Sequence, residues 1–212
     1  MRLHAPIIRG VVIAIGLYLG IVLVFTYLFH VPFVFLWCFM FLGVLYTGLF
    51  EYGYHRFVIH ESNYFLFLLK FRMIRSLRIG HRYHHAMLHG AHAQTRDPKA
   101  LLKTVTSWFI FPALLLVHYV VFSFFMPREK LSSFFFGVTL NFLFYEITHW
   151  CTHVRGNLLD RMIISLPFIG VLRRYYIRWH LGHHDNELVN FSFSQPPWWD
   201  FIFRTKGALK KL

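Results

Sequence analysis

Ten of the chain's 15 histidines fall in four short boxes. His55 and His60 stand in HRFVIH, and His81, His84 and His85 in HRYHH. His149 and His153 stand in HWCTH, and His180, His183 and His184 in HLGHH. A neutral imidazole is a ligand suited to Fe, Zn, Cu and Ni. On a helix, residues i, i+3 and i+4 share one face, so the second and fourth boxes each point three rings one way and the third points two. The first box differs, because five residues of α-helix turn about 140° and rise about 7.5 Å. From a regular helix that spacing hardly lets His55 and His60 bind one ion, but each could serve a different ion of a pair. Two octahedral ions with five imidazoles each would keep one open position apiece, and an open position is where a bound metal does chemistry.

Carboxylates are scarce around these boxes. Ferritin-like di-metal bundles use two Glu-x-x-His elements plus two further Glu, whereas here Glu146-Ile-Thr-His149 stands alone. Glu51, Glu146 and Asp185 therefore read as acceptors that orient imidazole N–H groups, or as ordinary ion-pair partners of the abundant arginines. His4, His30, His89, His92 and His118 read as terminal, loop or helix-packing residues. No Gly-x-Ser-x-Gly, phosphate loop or Gly-x-Gly-x-x-Gly occurs, so neither a serine nucleophile nor a bound nucleotide is expected. Cys38 and Cys151 make no disulfide framework.

The elements that must position the boxes are apolar helices. Hydrophobic residues make up 57% of the 212-residue chain and charged residues 15%, which excludes disorder and argues against a monomeric water-soluble globule. No Asp, Glu, Lys or Arg occurs from Val11 to Phe50. That run makes about 60 Å of helix against a bilayer core of about 30 Å, so it fits two crossings. It is too long for a signal peptide. The expected fold is all-α, an integral membrane four-helix bundle with helices at about 11–29, 33–56, 105–126 and 131–150. A cytosolic segment 1–10 precedes one membrane-embedded domain, 11–212, whose helical cap is 57–104 and 151–212. Tyr64–Ile79 and Leu158–Leu172 read as interfacial segments. All the Lys and Arg except Arg128 and Lys130 fall on one side of such a bundle, which the positive-inside rule makes cytoplasmic. The net charge of +13 is then matched to anionic lipid headgroups, and nucleic acid is not an expected partner.

The four boxes in this order resemble the membrane-bound fatty acid hydroxylase superfamily, which also holds sterol desaturases and carotenoid hydroxylases. The resemblance runs from about Phe50 to Thr205 and is closest to the fatty acid 2-hydroxylases. Its residues are Glu51-Tyr52-Gly53-Tyr54-His55-Arg56-Phe57, Tyr145-Glu146-Ile147-Thr148-His149, Asn190-Phe191-Ser192-Phe193 and Trp199-Asp200-Phe201-Ile202-Phe203-Arg204-Thr205. It implies two iron ions, with zinc the alternative occupant of the isolated protein, and O2 as co-substrate. It further implies one ion on His55, His81, His84, His180 and His183, and the other on His60, His85, His149, His153 and His184. The short stretch before the first helix leaves no room for the cytochrome b5 domain of many eukaryotic members. The electron donor, of cytochrome b5 or ferredoxin type, is thus expected to be a separate protein. The interval from His153 to His180 is longer than in the 2-hydroxylases.

The implied activity is hydroxylation of an unactivated C–H bond in a fatty acyl or sphingolipid chain. Desaturation, or sterol or carotenoid hydroxylation, is the alternative within the superfamily. A membrane metal- or haem-binding protein without catalysis is the alternative outside it. The expected location is the bacterial inner membrane or the endoplasmic reticulum, with both termini and the metal site cytoplasmic.

Overall fold

Long runs of Phe, Leu and Val with few breakers favour helix throughout. The computed structural model describes residues 33–60, 66–90, 93–101, 104, 110–193 and 197–210. The expected segment 1–10 and helix 11–29 lie outside the described residues. In chain order the helices are α1 (Phe33–Gly53), continued by a π-helix (Tyr54–His60), then a 3-10 turn (Leu66–Lys70), α2 (Arg72–Met87) and α3 (Pro98–Leu101). There follow α4 (Ile110–Ser123), α5 (Arg128–His153), α6 (Leu158–Ile164), α7 (Ile169–Asp185) and α8 (Trp198–Ile202). Among the described residues the nearest approach to a sheet is one isolated bridge, Thr95 to Val154, so the all-α expectation holds. One helix among them, α5, is long and apolar enough to cross a membrane.

The chain forms two compact units. The first comprises Met1–Thr47 and Ser107–Leu143. Leu131, Phe134, Phe135 and Val138 of α5 form its core, with Phe39 and Tyr46 of α1 and Leu115 and Phe122 of α4 packed against them. Two glycines set the spacing of α1 and α5. A Cβ on Gly43 would overlap the Phe134 carbonyl, and one on Gly137 would overlap the Met40 carbonyl. Small residues that let helix backbones touch are the usual device where lipid removes the hydrophobic drive for association. Thr47 Oγ1 bonds back to the Gly43 carbonyl at 2.7 Å. His118 bonds to the Leu114 carbonyl within its own helix, in keeping with a helix-packing role.

The second unit, Gly48–Thr106 and Phe144–Leu212, contains all four boxes. The two segments read as interfacial are here short-helix elements. The described part of Tyr64–Ile79, from Leu66 on, is divided between the 3-10 turn and the start of α2. Leu158–Leu172 is α6, a tight turn and the start of α7, with Leu158, Met162, Phe168 and Val171 exposed. Asn157 caps α6 by accepting the Asp160 N–H at 2.7 Å, the usual service of an Asn at this position. Asp160 then takes a two-pronged bond from Arg173 of α7, at 2.7 and 3.2 Å. The same guanidinium donates to the Thr148 carbonyl and to Thr152 Oγ1, so one arginine ties α6 and α7 to the last turns of α5.

Candidate metal centre

The ten boxed histidines come together as two cages of five. His55, His60, His81, His85 and His183 form the first, and His84, His149, His153, His180 and His184 the second. In each cage every pair of ligand nitrogens lies within 4.8 Å. The division differs from the one the resemblance implies: His60 and His85 join the first cage, and His84 and His180 the second. Helix geometry gives the reason. On α2 the i, i+4 pair His81 and His85 goes to the first cage and the intervening His84 to the second. On α7 the pair His180 and His184 goes to the second cage and His183 to the first. Each cage is therefore two pairs and one single ring, and the two helices exchange roles.

The pair His55 and His60 corrects a second expectation. They share one cage, with their Nε2 atoms 3.2 Å apart. The segment that holds them is a π-helix, whose hydrogen bonds close from i to i+5. A spacing of five is one turn there, so both rings point the same way.

Hydrogen bonds on the far side of the rings fix their tautomers. The Nδ1 atoms of His55 and His183 donate to the carbonyls of Phe191 and Val189, at 2.8 and 2.7 Å. Those of His149 and His153 donate to the carbonyls of Thr104 and Ala93, at 3.0 and 2.7 Å. A carbonyl only accepts, so these four rings carry hydrogen on Nδ1 and an unshared pair on Nε2. Within the cages, neighbouring Nε2 atoms stand 3.0–3.2 Å apart. Five such nitrogens gathered within 4.8 Å of one another are also spaced as ligands about one cation. Two nitrogens at right angles on an ion about 2.1 Å away stand about 3.0 Å apart. The Nε2 atoms of His149 and His183 are buried and meet no hydrogen-bond partner. The residues present thus fit a pair of imidazole-bound cations.

Burial reinforces this chemistry. Desolvation pushes His60, His81, His84, His85, His180, His183 and His184 below the usual imidazole range, and the neighbouring histidines push the same way. All seven are neutral donors at physiological pH. His85 and His184, one from each cage, stack at 4.2 Å and 14°, so the cages share a wall of parallel rings.

The acceptors around the cages were mostly hidden in the sequence. Asp185 pairs with Lys210 at 2.9 Å rather than with an imidazole. It is the last residue of α7, where the helix ends and its side chain meets solvent. Glu51 accepts the Phe193 N–H at 2.9 Å and so orients the segment that carries the Phe193 ring. Glu146 lies half-buried on α5. A carboxylate that meets imidazoles is Glu187: one oxygen is 3.2 Å from His60 Nδ1, and the other is 3.5 Å from His85 Nδ1.

Glu187 lies in the turn that opens a segment lining both cages. Glu187, Val189 and Phe191 serve the Nδ1 atoms of three of the first cage's five rings, His60, His183 and His55. Phe191 also lays its ring against His55, His60 and His183, and Phe193 lays its own against His149 and, at 4.3 Å, His180. Asp200 of α8 holds this strap by accepting the N–H groups of Phe191 and Ser192 at 2.8 and 2.7 Å. Thr205 Oγ1 donates to Asp200 and is joined to Tyr52, whose oxygen accepts from Arg56. Asn190 turns the strap with a φ of 57°, a conformation Asn tolerates well. Its side chain bonds Gly207 N and the Ala208 carbonyl.

An all-helical fold with two imidazole cages is also the kind of protein that comparison finds. The chain is 26% identical over 184 residues to the ceramide very long chain fatty acid hydroxylase scs7 of Schizosaccharomyces pombe. That match takes in 84% of this chain and 45% of the relative, so the chain spans about half the relative's length. A solved structure of full-length scs7p, in which only the hydroxylase domain is visible, shares the fold with a TM-score of 0.57 at 20% identity. It covers 99% of this chain and 68% of that one. No family model matches the sequence. The likenesses in sequence and fold bear out the resemblance to the fatty acid hydroxylases that the boxes carry.

Proposed function

We propose that the chain is a membrane-bound, non-haem di-iron oxygenase. It hydroxylates an unactivated C–H bond of a lipid acyl chain, with O2 as co-substrate and electrons from a separate protein of cytochrome b5 or ferredoxin type. The observation that carries this reading is the convergence of ten imidazoles in two cages of five, in each of which the ligand nitrogens all lie within 4.8 Å of one another. One iron would be held by His55, His60, His81, His85 and His183, and the other by His84, His149, His153, His180 and His184. Iron so held supplies O2 activation and C–H cleavage, chemistry no side chain of this protein can perform alone.

The chain's own residues do the rest. The carbonyls of Ala93, Thr104, Val189 and Phe191 fix four rings with Nε2 inward. Phe191 and Phe193 cover the cages with apolar surface and keep water off them. An insoluble substrate fits the exterior of the first unit, where Trp37, Phe41, Leu116, Val117, Phe124 and Phe125 are all exposed. Apolar surface on that scale marks contact with lipid or protein. A multi-pass arrangement with the cages on the cytoplasmic side accounts for the distribution of Lys and Arg.

The test is metal analysis of the purified protein joined to lipid mass spectrometry of cells with and without the gene. Two irons per chain, no haem absorption band and a product heavier by one oxygen are the expected results. A product lighter by two hydrogens would make the enzyme a desaturase. His84→Ala is expected to lower bound iron and abolish product; full activity in that variant would refute the site.

A further inference from the structure

The two cages are unequal, and the inequality lies in what stands behind the rings. All five histidines of the second cage are buried, and the neutral carbonyls of Ala93 and Thr104 accept from two of its rings. In the first cage the His60 side chain is just as buried, 3% exposed, but its acceptor is a charged one. Glu187, whose side chain is 47% exposed, sets one carboxylate oxygen 3.2 Å from His60 Nδ1 and the other 3.5 Å from His85 Nδ1. The chain bends to bring it there. After Asp185 the helix stops, and Asn186 accepts the Leu188 N–H through its side chain and the Val189 N–H through its carbonyl. That turn directs Glu187 back toward His60 and His85.

We propose that Glu187 is a positioning residue for the first cage alone, holding the His60 ring so that a metal in that cage is retained independently of the metal in the second. This rests on the di-metal reading above. The physical basis is general: an acceptor on the far nitrogen of a ligating imidazole fixes its tautomer and orientation, and its loss weakens metal binding about 10- to 100-fold. An exposed loop side chain can be replaced with little effect on packing, so the consequence should be local.

The experiment uses the full chain in detergent, loaded with ferrous iron-57. Release to a ferrous chelator is followed over time, and Mössbauer spectra are taken of the wild type, Glu187→Ala and Glu187→Gln. Wild-type protein should release two irons. In Glu187→Ala one of the two should leave about tenfold faster while the other keeps its wild-type rate, and one of two Mössbauer signals should shift. Glu187→Gln, whose side-chain oxygen can still accept from His60, should restore slow release. Unchanged release in Glu187→Ala, equal loosening of both irons, or a Gln variant as loose as the Ala variant overturns the role of Glu187. A wild-type chain that holds no pair of irons overturns the di-metal reading, and this inference with it.

Discussion

A ring nitrogen whose partner atom donates to a carbonyl has a lone pair and nowhere else to send it. That constraint, repeated at His55, His149, His153 and His183, decides the chemistry of the centre at the scale of single residues. It also gives the centre a pH dependence. Burial lowers the affinity of the His81, His84, His85, His180, His183 and His184 imidazoles for protons below that of the unfolded chain, whose histidines titrate at about 6.5. The unfolded chain therefore binds more protons than the folded one once the pH falls below that value. Stability is fully present above it and is lost as the medium turns acid. The metal-free protein should lose unfolding temperature steadily from pH 7 toward pH 5 in detergent. A flat profile would mean that the rings are not buried neutral. The histidines themselves were legible in the sequence, because their spacing is a helix signature. Their outer partners were not. A backbone carbonyl has no letter of its own, and Glu187 reaches His60 only because α7 stops two residues before it.

At the scale of elements, periodicity explains both what the sequence revealed and what it concealed. The boxes on α2 and α7 follow the ordinary helical repeat, and each helix splits its three rings two to one between the cages. The division among ions could not be read from spacing, because i, i+3 and i+4 share one face and a face does not name its partner. The Tyr54–His60 turn was hidden for a different reason: nothing in YHRFVIH distinguishes a π turn from an α turn. The helix contacts of the first unit carry a sharper test. A side chain at Gly137 would meet the Met40 backbone carbonyl, which no rotamer change can clear. Gly137→Val should therefore destabilise the protein by about 3 kcal/mol or more, the upper range for overpacking. Thermal unfolding in detergent would measure it. A neutral result would show that α1 and α5 are not held at this spacing.

At the scale of the whole molecule, one fold places ten imidazoles from four separated stretches of a single chain within two cages. The residues after the last histidine complete the arrangement. The strap, Asp200 and Thr205 together hold Phe191 and Val189 against the rings. Truncation after Asn186 should keep all ten histidines and yet lose iron from the first cage. Metal analysis of the truncated protein checks this, and undiminished iron would leave the strap without a role.

The strap also ties distant stretches of sequence together. Tyr52, beside the first box, is joined to Thr205, 153 residues further along. His55 takes its aim from Phe191, 136 residues away. An unfolded polypeptide thus holds every imidazole but aims few of them, and a cation that arrives before those long loops close meets only loose rings.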